Sequence, residues 1–103
     1  MRFLTILFLK FLLLNNFLVA EMLPTKSNIL LDTNECIKYP QNQICKELIS
    51  QIERLQLAMF DQNRFRCQSS LLGLQSQLIE AYFFKKLSTK RMLFMSSYVI
   101  KNC

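Results

Sequence analysis

The chain is predicted to be all-α. It reads as a small antiparallel bundle of three helices, with a fourth if the segment before Pro40 joins them, closed by two disulfides. Three observations carry this. Apolar residues recur at steps of three and four through most of the chain after Asn42. There is a single glycine, and only two prolines fall in 103 residues. Four cysteines, an even number, follow an apolar opening that has the layout of an export signal.

That opening, residues 1–20, places Arg2 ahead of a run of Phe, Leu and Ile and ends on the small Ala20. Lys10 and Asn15-Asn16 interrupt the run, whereas a membrane span needs about 20 predominantly apolar residues. A cleaved signal peptide is therefore expected, with Glu21 as the first mature residue. Removing it lowers the formal charge from +6 to +4. About 83 residues remain, a size at which a modest core usually needs staples.

Residues 21–41 form an N-terminal segment. Glu21–Ser27 reads as an irregular start. Asn28 can cap a short helix to about Tyr39, with Ile29, Leu30, Cys36 and Ile37 inward. Asp32, Thr33 and Asn34 are poor helix formers, so helix and irregular chain both stay open here. Pro40 ends the segment either way.

The bundle occupies residues 42–103. Ile44, Leu48, Ile52, Leu55 and Met59 share one helical face, and Asn42 is a suitable N-cap, which predicts helix over 42–60. Asp61–Arg64 has no Gly or Pro to force a turn. An unbroken helix over 42–84 would span about 64 Å, too long for so small a domain, so a turn is predicted there. Cys67, Leu71, Leu74, Leu78 and Tyr82 define the central helix, which runs to about Lys86 with Gly73 inside it. Gly73 costs up to about 1 kcal/mol relative to alanine and is a candidate for close helix approach. After Leu87-Ser88-Thr89, Met92, Met95, Val99 and Cys103 form the face of the last helix, with Phe94, Tyr98 and Ile100 beside it.

This register selects among the three possible cysteine pairings. Cys67 opens one helix and Cys103 closes its antiparallel neighbour, so the two share one end of the bundle. Cys36 and Cys45 flank the turn at the other end. A crossed pair would have to bridge roughly 25–30 Å of helix, against the roughly 7 Å limit on Cα separation. Cys36–Cys45 and Cys67–Cys103 are predicted. No C-x-x-C redox pair is present, and with no histidine a zinc site would need all four thiolates. No metal and no cofactor is expected.

The composition also weighs against catalysis. Without histidine neither a Ser-His-Asp nor a Cys-His arrangement can be built, and one glycine cannot make a phosphate loop. What remains is a binding protein. The candidate contact residues are Tyr82, Phe83 and Phe84, followed by Lys85, Lys86, Lys90 and Arg91, in a stretch with no acid after Glu80. Of the aromatics Phe60, Phe65, Tyr82, Phe83, Phe84, Phe94 and Tyr98, most are expected in the core, with at least one of residues 82–84 facing outward.

An export signal, two staples, helices and no catalytic residues together resemble the small secreted peptides of insect male accessory glands. The resemblance is one of overall character across the mature chain. It implies a seminal-fluid protein acting in reproduction by binding an extracellular receptor. Two alternatives use the same residues. One is a cationic host-defence peptide acting on an anionic membrane surface. The other is a hormone precursor cut at Lys90-Arg91. Nucleic acid is not an expected partner of an exported chain without a binding motif.

Overall fold

A computed structural model describes residues 23–103. The expected signal peptide, residues 1–20, and the expected mature start at Glu21 lie outside the described residues. Four helices follow in order: α1 Lys26–Lys38, α2 Gln43–Asp61, α3 Phe65–Phe83 and α4 Thr89–Asn102. Each successive pair packs together, and α4 closes the ring against α1. The result is an up-down-up-down bundle with α3 seated between α2 and α4. Among the described residues no helix is long and apolar enough to cross a membrane.

The N-terminal segment resolves as a full helix. It starts earlier than expected, because Thr25 rather than Asn28 is the cap and accepts the Asn28 N–H at 3.2 Å. Its inward face is Ile29, Thr33 and Cys36, all buried, while Leu30 and Ile37 are only half-buried. Weak local propensity is overridden by packing on α2 and α4.

Thr33 is fully buried, and its hydroxyl has no hydrogen-bond partner. The other buried hydroxyls are satisfied by their own helices: Ser70 donates to the Arg66 carbonyl and Ser96 to that of Leu93, each at 2.9 Å. An unpaired buried hydroxyl costs roughly 1–3 kcal/mol. Thr33→Val keeps the shape and removes the polar atom. It is expected to raise the unfolding free energy by about 1 kcal/mol, read as a later urea midpoint at unchanged slope.

The break between α2 and α3 is made by Asn63. It takes the left-handed conformation, φ 59°, which asparagine tolerates better than most residues. The Asn63 N–H donates to Phe60 O at 3.0 Å and the Arg64 N–H to Met59 O at 2.8 Å. This is the two-bond helix stop usually built on glycine. Asn42 caps α2 as expected, accepting the Ile44 N–H.

The core runs along the bundle axis. Leu48 and Ile52 of α2, Leu71, Leu74 and Leu78 of α3, and Met92 and Val99 of α4 are at most 1% exposed. The stripes read from periodicity thus supply the core. Cys36–Cys45 closes one end, with Cα atoms 5.3 Å apart, and Cys67–Cys103 the other, at 4.7 Å. At the second end the Arg64 guanidinium donates to the Cys103 carbonyl at 2.8 Å.

One carboxylate works against the fold. Burial raises the Asp32 pKa above its ordinary 3.8, and the neighbouring Glu47 and Glu35 carboxylates raise it further. The folded state therefore holds this proton more tightly than the unfolded chain does. Stability from Asp32 is greatest below pH 3.8 and is lost as pH rises through the window above it. At pH 7 Asp32→Asn is expected to stabilise the protein, and at pH 3 the gain disappears. Denaturant midpoints of both forms at the two pH values check this.

Candidate functional site

At the Cys36–Cys45 end, the last turns of α1 and α3 meet the first turns of α2 and α4. Gln41, in the turn after α1, donates through its side-chain amide to the carbonyls of Ala81 and Tyr82, at 3.3 and 3.1 Å. It thereby satisfies orphan acceptors at the end of α3 and ties the two connections together. α3 stops at Phe83, three residues short of the expected Lys86. Lys85 adopts a left-handed conformation, φ 54°, and the Lys86 N–H turns back to Glu80 O at 3.0 Å.

Two aromatics face outward at this end. Phe83 and Phe84 are 58% and 65% exposed. Tyr82 stays half-buried against the core, its ring edge-on to Phe83 at 4.8 Å. Lys85, Lys86, Lys90 and Arg91 are exposed beside them. Sequence reasoning did not single out Lys38, Tyr39 and Leu87, which are also exposed in the connections at this end of the bundle. The signal for Tyr39 was present, since the residue before Pro40 is pushed out of the helix.

The cations at the start of α4 have no local structural reward. A helix N-terminus favours negative charge, yet the first turn of α4 contains Lys90 and Arg91 and no acid. Ser88 supplies the cap, accepting the Arg91 N–H at 3.4 Å.

A second surface lies along α3 and α4 toward the opposite end. It is an open groove of about 780 Å³ lined by the exposed Phe65, Phe94, Tyr98, Arg66 and Lys101 and the half-buried Gly73 and Met95. The expectation that most aromatics fill the core is corrected here. Phe60, Phe65, Phe94 and Tyr98 are each about half exposed. Leucine, isoleucine and methionine already occupy the inward helical positions, and these four rings project from the flanks. Phe60 and Phe65 pair edge-on across the α2–α3 turn at 6.1 Å, and Phe94 and Tyr98 pair along α4 at 5.3 Å. Gly73 does serve close approach, because a Cβ there would sit 2.7 Å from Met95 Sδ.

All four cysteines are in disulfides, and the chain has no histidine. Among the described residues no group of three or more Cys, Asp or Glu is placed to hold a metal ion. Comparison with known proteins finds no matching family model, no matching curated protein and no matching solved structure.

Proposed function

We propose that the protein is a secreted, non-enzymatic ligand that acts by binding an extracellular protein, of the receptor type, through the aromatic and cationic end. The observation that carries this is the pairing of exposed Phe83 and Phe84 with Lys85, Lys86, Lys90 and Arg91. Two of those cations sit where the α4 dipole disfavours them, so helix stability does not account for their placement. Exposed rings beside cations supply the large apolar area and the charge steering that protein partners use. Two disulfides in so short a chain suit an oxidising, extracellular setting. The finer reading, a seminal-fluid signal, rests on the resemblance to accessory-gland peptides, and it makes the female reproductive tract the first tissue to test.

The test uses labelled, oxidised protein on intact cells of that tissue, beside dye-loaded vesicles of anionic lipid. Saturable binding displaced by unlabelled protein is expected, weakened about tenfold or more by Phe83→Ala with Phe84→Ala. The vesicles should stay sealed. Dye release at the same concentrations would replace this reading with the membrane-active one. Absence of displaceable binding would remove the receptor. The precursor reading is less favoured, because a cut after Arg91 falls in the first turn of α4 and would detach Met92–Cys103 from its Ser88 cap, leaving it tethered through Cys67–Cys103.

A further inference from the structure

We propose that the groove between α3 and α4 is a second, separate site, which takes a small free amphiphile: one apolar chain with a single carboxylate head. The groove runs from Arg66 to Gly73 on α3, about 10 Å at the helical rise. Its volume of about 780 Å³ falls within the range of small-ligand sites, roughly 300–1,000 Å³.

The lining has the composition such a ligand needs. Phe65, Phe94 and Tyr98 form apolar walls over Met95, whose flexible thioether adapts to varied shapes. The missing side chain at Gly73 lets the Met95 thioether lie directly against the α3 backbone, where a Cβ would sit 2.7 Å from its sulfur. Much of the polar lining is already engaged: Ser70 donates to the Arg66 carbonyl, and the Asn102 amide to the Tyr98 carbonyl at 2.9 Å.

The charge is one-sided. Arg66 lies in the first turn of α3 and Lys101 in the last turn of the antiparallel α4, so both stand at the Cys67–Cys103 end. No acid lines the groove. An anionic head placed between the two cations leaves its chain pointing along the aromatic walls toward Gly73. Charge complementarity at one end and apolar lining along the rest select this ligand class over a neutral or cationic one.

The probe is decanoate, used below its critical micelle concentration with the intact, oxidised protein, and compared with decyltrimethylammonium of the same chain length. Calorimetry should give saturable binding of decanoate at least tenfold tighter than that of the cationic analogue. Amide resonances of Gly73, Met95 and Tyr98 should shift, and those of Phe83 and Phe84 should not. Arg66→Glu with Lys101→Glu should weaken decanoate at least tenfold, as should Phe94→Ala. All three side chains are exposed, and an unchanged far-ultraviolet dichroism spectrum confirms that each variant is folded. Equal binding of both amphiphiles, binding indifferent to these variants, shifts confined to the Phe83–Phe84 end, or no saturation below the micelle threshold would each overturn the proposal. Because the probe is read at the groove, its failure leaves the receptor reading of the other end intact.

Discussion

Replacing Cys67 and Cys103 together by alanine is expected to lower the unfolding free energy by about 3.8 kcal/mol. The pair closes the longer of the two loops, a separation of 36 residues against 9 for Cys36–Cys45. On the chain-entropy account a loop of that length removes more freedom from the unfolded state, and the shorter loop contributes about 2.7 kcal/mol. Position adds to length. Cys67–Cys103 pins the end of α4 to the start of α3, where the Arg64–Cys103 carbonyl bond also forms. Small domains are stable by only roughly 5–15 kcal/mol, so this one change removes a large share. Guanidinium unfolding of the double variant should show a much earlier midpoint, and Cys36→Ala with Cys45→Ala a smaller shift. A loss below about 1 kcal/mol for Cys67 and Cys103 would mean that the unfolded chain is not constrained as the loop length implies.

Leu74→Ala is expected to cost about 3 kcal/mol, within the roughly 2–5 found for such truncations. Leu74 is fully buried midway along α3, between Leu71 and Leu78 on the face that meets α2 and α4. Its methyl groups have close-packed neighbours on both sides, so the site cannot collapse to refill the void. Leu72, 44% exposed on the same helix, is the control: Leu72→Ala should change stability by no more than about 0.5 kcal/mol. Urea midpoints at constant slope distinguish the two. Equal costs at Leu72 and Leu74 would contradict the assignment of the buried face.

The elements most legible in the sequence were those whose periodicity is long and whose polar face is clean. α2 and α3 each run 19 residues, and their stripes identified the core residues and the antiparallel register. That register in turn chose the disulfide partners, since helix length forbids the crossed pairing. α1 was less legible. Asp32, Thr33 and Asn34 argue locally against helix, and the contacts that overrule them come from α2 and α4. Thr33 in the core could not be read from residue type at all, because a hydroxyl without a partner is an unfavourable occupant.

The candidate site was legible in part for the same reason. The run from Tyr82 to Arg91 could be found as a local concentration of rings and cations, and helix geometry alone required one ring to face outward. That α3 ends at Phe83, with Lys85 left-handed just beyond it, is not marked in the sequence. The expectation for the other aromatics weighed residue type above helical position. Helical position already set Phe94 and Tyr98 beside the Met92–Val99 stripe, and they are exposed there. The groove depends on how α3 meets α4, and a single stripe does not contain that relation. Its traces were Gly73 and the Phe94, Tyr98, Lys101 ladder.

The proposed export of a twice-stapled helical ligand is open to a direct check by intact mass. The protein is produced in a eukaryotic cell, collected from the medium and weighed before and after reduction. A chain that begins at Glu21 and is four hydrogens lighter than its reduced form is expected, with Cys36–Cys45 and Cys67–Cys103 joined in its proteolytic fragments. Retention in the cell with residues 1–20 still attached, or free thiols at these four cysteines, would contradict it.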